Sequence, residues 1–498
     1  MEKELLPESL QGEQELERVK NMEAVKETGA DPYGQKYNRT DTASSVREKF
    51  SDIEEGVESE DSVSVAGRIT AIRSHGKTSF MTFADVTGTL QVYLRKDVLG
   101  EEKFAQMKLI DLGDIIGFTG KIFKTKTGEL TVFAKGFEFL SKSLHPMPEK
   151  WHGLKDVEVK YRRRYLDLIT DEKSRNTFIL RSKIIASMRN LLNAKGFFEM
   201  ETPCMSSLAG GAAARPFITH HNALDIDMYL RIATELHLKR CLVGGLEKVY
   251  EIGRLFRNEG LDTRHNPEFT TIELYEAYSD YKGMMDLAEE IFRDAANVVG
   301  AGDTIMYQGQ EISIKAPFAR LTMDEALQKW GNISIADLRN EEKALEIAKQ
   351  YKIAYKKGDP IGHLIDKVFE AVAEPHLVNP TFITDYPIEI SPLAKKQKED
   401  PTLTYRFELF ICNMEFANAF SELNDPIDQR ERFMAQAKLK ASGDEEAHVL
   451  DEDFLLALEY GMPPAGGMGI GIDRMIMLFT DSASIRDVIL FPTMKVID

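Results

Sequence analysis

Cysteine is scarce in this chain, with three residues in 498, and tryptophan occurs only twice. The cysteines, Cys204, Cys241 and Cys412, are far apart and form no CxxC pair. This spacing argues against a disulfide framework and against a cysteine-based zinc site. Their apolar or strand-like surroundings predict three buried core thiols.

Long apolar runs are also missing. No segment approaches the ~20 consecutive apolar residues that a membrane-spanning helix needs. The N-terminal segment is acidic and polar and has no apolar core of a signal peptide. We therefore expect a cytoplasmic protein with no membrane partner.

Positive charge is in deficit overall but is unevenly distributed. The formal net charge of -18 disfavours non-specific nucleic-acid binding. Residues 1–60 contain 8 Lys and Arg against 16 Asp and Glu, whereas residues 61–145 contain 12 against 9. The second segment is therefore a locally basic part of an acidic chain.

The common phosphate-binding motifs are absent too. There is no GxxxxGK[ST] loop, and the glycines at 467–471 follow a GxGxG spacing where a dinucleotide fingerprint needs GxGxxG. Neither common nucleotide-binding fold is predicted. A nucleotide bound here would need arginines at its phosphates.

The patterning that is present predicts an α+β chain. Residues 1–60 are predicted as helix and loop, and 61–145 contain five short strands, 10 to 15 residues apart, typical of an OB-fold barrel. Residues 146–175 have the composition of a linker. In 176–498, a helix from Ser182 precedes strands joined by short loops, which predicts an antiparallel sheet with flanking helices, mostly helical at about 281–375 and 425–460.

The hairpin at residues 250–278 concentrates cations and carboxylates. Arg254, Arg257 and Arg264 surround its loop, and strand alternation would place Arg257 and Glu259 on one face. Guanidinium groups suit phosphates, and Phe269 could stack on a purine. On spacing alone, a solvated turn remains the alternative.

The return strand of this hairpin has one face formed by Phe269, Thr271, Glu273 and Tyr275. In residues 407–423, alternation places Asn418, Phe420 and Glu422 on one face of a second hairpin. Carboxylates among apolar residues need a cation or a metal when buried. Glu273 and Glu422 could therefore pair with an ammonium group.

Glu408 and Glu415 flank the predicted turn of the second hairpin. Two carboxylates that close suit Mg²⁺, which proteins hold with one or two carboxylates plus substrate phosphates. A solvated edge strand is the alternative.

Near the C-terminus, Arg474 follows a glycine-rich turn and could face a phosphate or a base. The alternative is a purely structural helix start, in which Asp473 pairs with a nearby cation.

Three of these segments together resemble the signature motifs of class II aminoacyl-tRNA synthetases. The blocks FRNEGLDTRHNPEFTTIELYEAY and GGMGIGIDRMIMLF resemble motifs 2 and 3, and the helix from Ser182 to the proline at 203 resembles motif 1. Further blocks, such as YRRRYLDL and FSELNDP, resemble the lysine-specific branch of bacterial type, from about residue 60 to the end.

The resemblance implies ATP-dependent activation of L-lysine and its transfer to tRNA(Lys), with Mg²⁺ as cofactor and a homodimeric chain. It implies that Arg257 binds the α-phosphate and the substrate carboxylate, and that Arg474 binds the γ-phosphate and stacks on adenine opposite Phe269. The further ATP-site residues implied are Glu259, Arg264, His265, Glu408 and Asn418, with Glu408 and Glu415 as Mg²⁺ ligands.

For lysine, the resemblance implies that Glu235 and the Gly211 backbone bind the α-ammonium. It implies that Glu422 and Tyr275 bind the ε-ammonium. The remaining residues implied in this pocket are Arg257, Glu273, Asn418 and Phe420. We also expect Ala417 and Ala419, where bacterial relatives often have glycine, to narrow the space beside Asn418.

In the barrel, the resemblance implies anticodon contacts by Phe80, Gln91 and Glu129. An aromatic, an amide and a carboxylate on one sheet face suit stacking on unpaired bases and hydrogen bonding to their edges. For Phe80, a place in the barrel core is the alternative.

Three rival functions fit the residues less well. An aspartate or asparagine enzyme of the same class needs a cation facing the substrate side chain, but positions 273, 275 and 422 are anionic or neutral. A relative that lysylates proteins usually lacks the barrel predicted here. A non-catalytic RNA-binding scaffold would not need the arginine and carboxylate sets, which are all present.

Overall fold

The computed structural model describes residues 6–148, 156–208, 210–212, 214–356, 360–441 and 449–495. The chain divides into two compact units, Met1–Gly153 and Leu154–Asp498. The α+β class predicted from the sequence is confirmed. Within the described ranges, no helix is both long enough and apolar enough to span a membrane.

The first unit contains a closed five-stranded barrel with the strand order β1-β2-β3-β5-β4. The strands are β1 (Glu58–His75), β2 (Thr78–Asp85), β3 (Gly88–Arg95), β4 (Ile115–Lys124) and β5 (Leu130–Ser141). Alternate residues such as Met81, Phe83 and Val92 fill the barrel core. The predicted OB-type barrel is therefore confirmed, strand by strand.

Three helices accompany the barrel, α1 (Glu13–Glu27), α2 (Ala43–Lys49) and α3 (Lys96–Met107), with a short 3₁₀ turn at Glu8–Leu10. Helix α1 ends just before Gly29, which has a φ of 77°. The predicted loop after it contains α2, whose N-terminus is closed by a capping box at Thr42. The expectation of loop alone was therefore wrong for residues 43–49.

The second unit is built on an eight-stranded sheet with the order β14-β15-β16-β17-β18-β11-β10-β6. Its central pairs are antiparallel, while β14–β15 and β10–β6 at the two edges are parallel. Smaller sheets are β12-β13 and β7-β9-β8. The strands are β6 (Phe198–Glu199), β7 (Met205–Ser206), β8 (Ile218–His221), β9 (Ile226–Leu230), β10 (Lys248–Phe256), β11 (Glu268–Ala277), β12 (Thr304–Tyr307), β13 (Gln310–Ser313), β14 (Ala319–Thr322), β15 (Thr381–Thr384), β16 (Arg406–Ile411), β17 (Met414–Ser421) and β18 (Ala465–Gly471).

Helices flank this sheet, and 3₁₀ turns lie at Glu374–His376 and Ile388–Ile390. The helices are α4 (Val157–Arg162), α5 (Arg164–Thr170), α6 (Glu172–Ala194), α7 (Glu235–Val243), α8 (Tyr281–Val298), α9 (Met323–Gly331), α10 (Ile335–Leu338), α11 (Glu341–Gln350), α12 (Ile361–Val372), α13 (Pro426–Ala441), α14 (Glu452–Glu459), α15 (Ile472–Phe479) and α16 (Ile485–Val488).

Some predicted boundaries differ from the structure. Within the predicted linker 146–175, residues 149–155 lie outside the described residues, and α4 and α5 follow them. Helix α6 begins ten residues before Ser182 and crosses the predicted boundary at 176. The predicted helical stretch 281–375 contains the short strands β12, β13 and β14, whose four-residue length is too short for a clear alternation.

The two faces of the large sheet have different roles. One face packs against α6 and α8 in the main apolar core, to which β11 contributes Ile272 and Leu274. Ala417 and Ala419 of β17 belong to the same core, 2% and 0% exposed. The expectation that they narrow the space beside Asn418 was wrong, because alternation turns them to the opposite face.

The prediction of three buried core thiols was wrong for Cys204 and was met only in part by the other two cysteines. Cys204 is exposed, while Cys241 and Cys412 are half-buried against apolar clusters, and all three are free thiols. Cys204 lies in the irregular segment between β6 and β7. The strand that follows it has only two residues, and Met205 in that strand is itself exposed, so the apolar pattern there gives no burial.

A buried ion pair joins three elements behind the sheet. Asp473, in the first turn of α15, accepts hydrogen bonds from the Arg181 guanidinium of α6 at 2.5 Å and from the Thr270 amide of β11 at 2.7 Å. Asp473 is 2% exposed. The interpretation of this position as a helix start that pairs with a cation is correct for Asp473.

We expect Asp473→Ala to lower the free energy of unfolding by roughly 3–5 kcal/mol, the usual cost of removing one partner of a buried ion pair. It leaves the Arg181 guanidinium and the Thr270 amide without their acceptor. Urea unfolding followed by circular dichroism measures this. The control is Asp286→Ala, whose exposed pair with Arg320 should matter little; equal midpoints for both variants would contradict the expectation.

Candidate active site

A pocket of about 780 Å³ opens on the face of the large sheet opposite the α6–α8 core. Its size lies within the range usual for ligand sites. The lining includes these predicted ATP, metal and lysine residues: Gly211, Glu235, Arg257, Glu259, Arg264, His265, Phe269, Glu273, Tyr275, Glu408, Glu415, Asn418, Phe420 and Arg474. The pocket therefore brings together residues from segments more than 200 positions apart.

Glu422 is the one predicted lysine residue that does not line this pocket. It is 1% exposed and lies immediately after β17, where its amide donates to the Ala465 carbonyl. Its Oε2 forms an ion pair with Nζ of Lys239, and its Oε1 has no hydrogen-bond partner among the described residues. Gly467, which lines the pocket and has no side chain, lies directly beside this oxygen.

The Lys239 ammonium joins two carboxylates at this end of the site. Glu235 begins α7, and Lys239 one turn later donates to Glu235 Oε1 at 2.6 Å. The same Nζ contacts Glu422 and lies 5.4 Å from the Phe420 ring centre. Lys239 is completely buried, so both ion pairs are shielded from water.

A third carboxylate, that of Glu273, completes this end. Its Oε1 accepts from the Thr234 amide at 3.2 Å, and its Oε2 accepts from the Tyr275 hydroxyl at 3.3 Å. Burial, reinforced by the charge of Glu235, raises the pKa of Glu273 to about 7. Burial likewise raises the pKa of Glu422 to about 8 and raises that of Glu235. A bound ammonium group would stabilise the ionised carboxylates.

The opposite end of the pocket is cationic. Arg257 follows β10 directly, its guanidinium lies 5.2 Å from the Phe269 ring centre, and its buried Nε has no hydrogen-bond partner among the described residues. Arg474 donates to the Glu415 carbonyl at 2.6 Å and approaches His265 at 3.4 Å. Arginine donors beside an aromatic ring suit a nucleotide, because the guanidinium groups can bind its phosphates while the ring stacks on its base.

The loop of the first hairpin is held over the pocket. Asp262 accepts from the amides of Arg264 and His265 at 2.6 and 2.7 Å. Arg264 reaches the Asn413 carbonyl in the β16–β17 turn at 3.3 Å. Because β10 ends at Phe256, Arg257 and Glu259 lie in this loop. The prediction that they share a strand face was therefore wrong. Both residues nevertheless line the pocket.

Arg254, which the sequence analysis grouped with Arg257 and Arg264, lies elsewhere. It is exposed and pairs with Glu268 at 3.3 Å, and it does not line the pocket. Arg254 still lies within β10, where alternation turns it away from the site. The solvated alternative is therefore right for this arginine.

Glu408 and Glu415 lie on either side of the tight β16–β17 turn, as predicted. A bulge shifts the register between Leu409 and Phe410, so that Glu415 and Asn418, three residues apart, both face the pocket. Glu408 accepts from Tyr386 at 2.9 Å and from Arg406 at 2.6 Å. Burial and the charge of Glu415 raise the pKa of Glu408 to about 8.

These carboxylates fit a cation that is partly coordinated by its ligand. No cluster of three or more His, Cys, Asp and Glu side chains suited to a metal occurs in the described part of the chain. Mg²⁺ needs no such cluster, because substrate phosphates and water complete its shell. Glu415 is 42% exposed and can turn toward a ligand.

Several site residues were missed by the sequence analysis. They are Lys239, Tyr386, Arg406 and Gly467. The spacing of Glu235 and Lys239, four residues apart on α7, indicates an ion pair on one helix face but gives no sign of the contact with Glu422. Arg406 and Glu408 are two residues apart on β16, so strand alternation places both side chains on the same face.

Two of the predicted anticodon residues, Phe80 and Gln91, lie on one outer face of the barrel, and the third, Glu129, lies in a turn. Phe80 stacks on Tyr93 with ring centres 4.4 Å apart, and the register places Tyr93 beside Phe133. Gln91 accepts from Thr131 at 2.9 Å, and Glu129 is exposed in the turn before β5. Phe80 is half-buried, while its neighbour Met81 faces the core, so the core alternative for Phe80 is excluded.

Comparison with known proteins gives two family matches. Residues 156–495 match the tRNA synthetases of class II (D, K and N), and residues 63–140 match the OB-fold nucleic acid binding domain. A lysine-tRNA ligase of Moorella thermoacetica is 55% identical, covering 96% of this chain and 97% of its own length. Those of Carboxydothermus hydrogenoformans and Staphylococcus epidermidis are 54% and 53% identical, covering 96% and 98% of this chain and 97% and 100% of their own lengths.

We expect Gly467→Ala to disrupt the carboxylate end of the pocket. A Cβ at this position would lie 2.0 Å from Glu422 Oε1 and 2.5 Å from the Tyr275 ring, and both side chains are buried. The overpacking should cost roughly 1–3 kcal/mol of stability and weaken L-lysine binding. Urea unfolding and isothermal titration calorimetry measure the two effects.

The matched control is Gly469→Ala, two residues along the same strand face. Its Cβ would meet nothing closer than Glu273 Cγ at 3.7 Å, an ordinary contact. Its unfolding midpoint should equal that of the unmodified chain. The prediction for Gly467 fails if both variants unfold at the same urea concentration.

Proposed function

The chain belongs to the lysine-tRNA ligases of class II, and from this premise we propose how its pocket activates lysine. The reaction joins L-lysine and ATP to lysyl-adenylate and pyrophosphate, then transfers the lysyl group to the 3′-terminal ribose of tRNA(Lys). The observation that carries the proposal is the opposite charge of the two ends of one pocket. Carboxylates collect at one end and arginines at the other.

The carboxylate end binds the amino acid. Glu235 and the Gly211 backbone bind the α-ammonium, and Glu422 and Tyr275 bind the ε-ammonium. Glu273 adds a further acceptor between them. A side chain that lacks a terminal ammonium leaves a buried carboxylate unpaired, which is the strongest basis for rejecting a near-cognate substrate.

The cationic end binds ATP. Arg257 contacts the α-phosphate and the lysine carboxylate, with its free Nε available for one of them. Arg474 binds the γ-phosphate and covers the adenine opposite Phe269. Arg264 and His265 border the triphosphate from the loop above.

Glu408 and Glu415 would hold Mg²⁺ in this proposal, with substrate phosphates completing its shell. The ion would supply positive charge to offset the negative charge of the triphosphate. Glu259 and Asn418 complete the ATP and amino-acid surroundings. Arg406, which donates to both Glu408 and Asn418, keeps these two side chains oriented.

No general base is needed for the first step. The lysine carboxylate is already a nucleophile, so an oxygen attacks the α-phosphorus as the bond to pyrophosphate breaks. Catalysis then consists of positioning and charge stabilisation by Arg257 and Arg474. In the second step a terminal ribose hydroxyl of tRNA attacks the mixed anhydride and releases AMP.

The same family match includes aspartate and asparagine enzymes. Their substrates carry a carboxylate or an amide, whereas this pocket presents Glu273 and the Tyr275 hydroxyl and has Glu422 buried directly behind Gly467. A substrate carboxylate there would be repelled in a buried site. The residues therefore favour lysine within the class.

The deciding experiment is amino-acid-dependent exchange of labelled pyrophosphate into ATP, with Mg²⁺ and without tRNA. We expect exchange with lysine alone among the twenty amino acids. Glu422→Gln should reduce the exchange, since the buried acceptor loses its charge. Exchange with aspartate or asparagine would contradict the pocket assignment, and absence of exchange with and without total tRNA would contradict the function.

The barrel contacts the anticodon of tRNA(Lys) in this proposal. Phe80 provides a stacking surface and Gln91 a hydrogen-bonding group on the same face, and Glu129 provides a second hydrogen-bonding group from the turn before β5. Base stacking on an aromatic side chain is worth about 1–3 kcal/mol. The locally basic charge of residues 61–145 supports an RNA partner.

Phe80→Ala should therefore weaken tRNA charging by roughly tenfold or more and leave lysine-dependent pyrophosphate exchange unchanged. Steady-state aminoacylation at limiting tRNA measures the first effect. Tyr33→Ala is the control. Tyr33 is exposed in the same unit and follows Pro32, whose carbonyl accepts a hydrogen bond from the Lys142 amide, at the opposite end of β5 from Glu129. Equal loss of charging and exchange would remove the proposed division of roles.

We further propose a homodimer, located in the cytoplasm where charged tRNA is used. Large apolar side chains are exposed around the segment that resembles motif 1, and such a patch is typical of a subunit interface. They are Phe198, Met205, Leu208, Ile218 and Leu224. Sedimentation at the mass of one chain would exclude the dimer, and recovery in a membrane fraction would exclude the location.

A further inference from the structure

The lysine end of the pocket contains more carboxylates than the substrate has ammonium groups. Glu235, Glu273 and Glu422 provide three potential anions, each at most 8% exposed. L-lysine brings two ammonium groups, and its carboxylate belongs to Arg257 in the proposed function. One anion would remain uncompensated in a buried site, which is unfavourable.

Lys239 supplies the missing charge. Its ammonium lies between Glu235 and Glu422 and contacts both. When Lys239 is counted, the three carboxylates still exceed the cations that pair with them by two negative charges, and the two ammonium groups of L-lysine balance these. Among the described residues, no other Lys or Arg forms an ion pair with Glu235 or Glu422.

We propose that Lys239 is a specificity-determining positioning residue that holds Glu235 and Glu422 as oriented anions and thereby matches the pocket to a substrate with two ammonium groups. This inference rests on the proposed function and deepens it. Lys239 does not touch the reacting atoms. It acts through the two carboxylates that receive the substrate.

The surroundings keep Lys239 in this role. Burial alone would lower its pKa, but Glu235 and Glu422 outweigh burial and raise the pKa above its ordinary value, so the side chain stays a cation. The Phe420 ring covers one side of the ammonium. Gly467 leaves Glu422 the room to reach it, since a Cβ there would collide with Glu422.

The neighbouring cations Arg406 and Arg257 contact other groups than Glu235 and Glu422. Arg406 donates to Glu408, Asn418 and the Ile390 carbonyl, and it acts on Glu235 only through its field. Arg257 lies over Phe269 at the other end and likewise affects Glu273 only at longer range. A further titratable neighbour is the Tyr275 hydroxyl, which donates to Glu273.

Removal of the cation has a defined consequence for pH dependence. Lys239 lowers the pKa of Glu235 and of Glu422, against the larger effect of burial. Without it both pKa values rise, so the empty pocket binds protons that the substrate must displace. Lysine binding should then be weak at neutral pH and recover as the pH rises.

The experiment compares Lys239→Met with the unmodified full chain in lysine-dependent pyrophosphate exchange between pH 6.5 and 8.5. We expect the KM for lysine to rise about 10- to 100-fold at pH 7, the effect of losing a hydrogen bond to a charged group. The acid limb of the kcat/KM profile should move up by about one pH unit. The KM for ATP at saturating lysine should change little.

Two further variants separate charge from structure. Lys239→Arg keeps the cation, so its acid limb should stay at the position of the unmodified chain even if the larger group raises KM. Arg240→Met removes the neighbouring cation of α7, whose partners Asp451 and Asp453 lie outside the pocket, and should leave the lysine profile unchanged. If Lys239→Met does not fold, Lys239→Gln repeats the test with a neutral donor.

An unshifted acid limb in Lys239→Met, or in Lys239→Gln, overturns the inference. An equal shift in Lys239→Arg also overturns it, because charge would then not be the cause. Failure of the unmodified chain to exchange with lysine overturns the proposed function instead. The two failures are therefore distinguishable in one set of assays.

Discussion

The cost of removing carboxylates from water is the constraint on which this site depends. An isolated buried carboxylate takes up a proton or requires a cation. Here Glu235, Glu273 and Glu422 are all buried within a few side chains of one another. Burial raises the pKa of Glu273 and of Glu422, and the protein's own cations offset this effect only in part. In the proposed function, a ligand with ammonium groups offsets the rest, so the unfavourable burial is the source of selectivity.

The sheet provides the means to hold such charges against an apolar core. Strand alternation sends Ile272 and Leu274 into the core and turns Glu273 and Tyr275 toward the pocket. On the adjacent strand, glycine at 467 leaves the space that Glu422 and Tyr275 occupy. A bulge in β17 adds Glu415 to the pocket face. Rigid strands thus place charged groups that loops could not hold as closely.

The two ends of the pocket divide the chemistry between them. In the proposed function, the carboxylate end selects the ammonium groups of the amino acid, and Arg257 and Arg474 at the other end bind the phosphates of ATP. A reaction between a carboxylate and a phosphate needs its partners brought together against their mutual repulsion. Opposite charges within one cavity achieve this without a dedicated acid or base. Asp473 links this arrangement to α6 through Arg181, so the helix behind the sheet supports the position of Arg474.

Much of this protein was determined by local patterns in its sequence. The five barrel strands, the two hairpins and the residues grouped as a phosphate and lysine site follow from alternation, turn residues and the motif resemblance. The tertiary structure decided that β10 ends at Phe256, so that Arg257 and Glu259 reach the pocket from a loop and not from a strand face. It also decided that Ala417 and Ala419 belong to the core and that Cys204 is exposed. The role of Lys239 could not be seen from the sequence, since its contact with Glu422 joins residues 183 positions apart, and only packing brings such distant charges within reach.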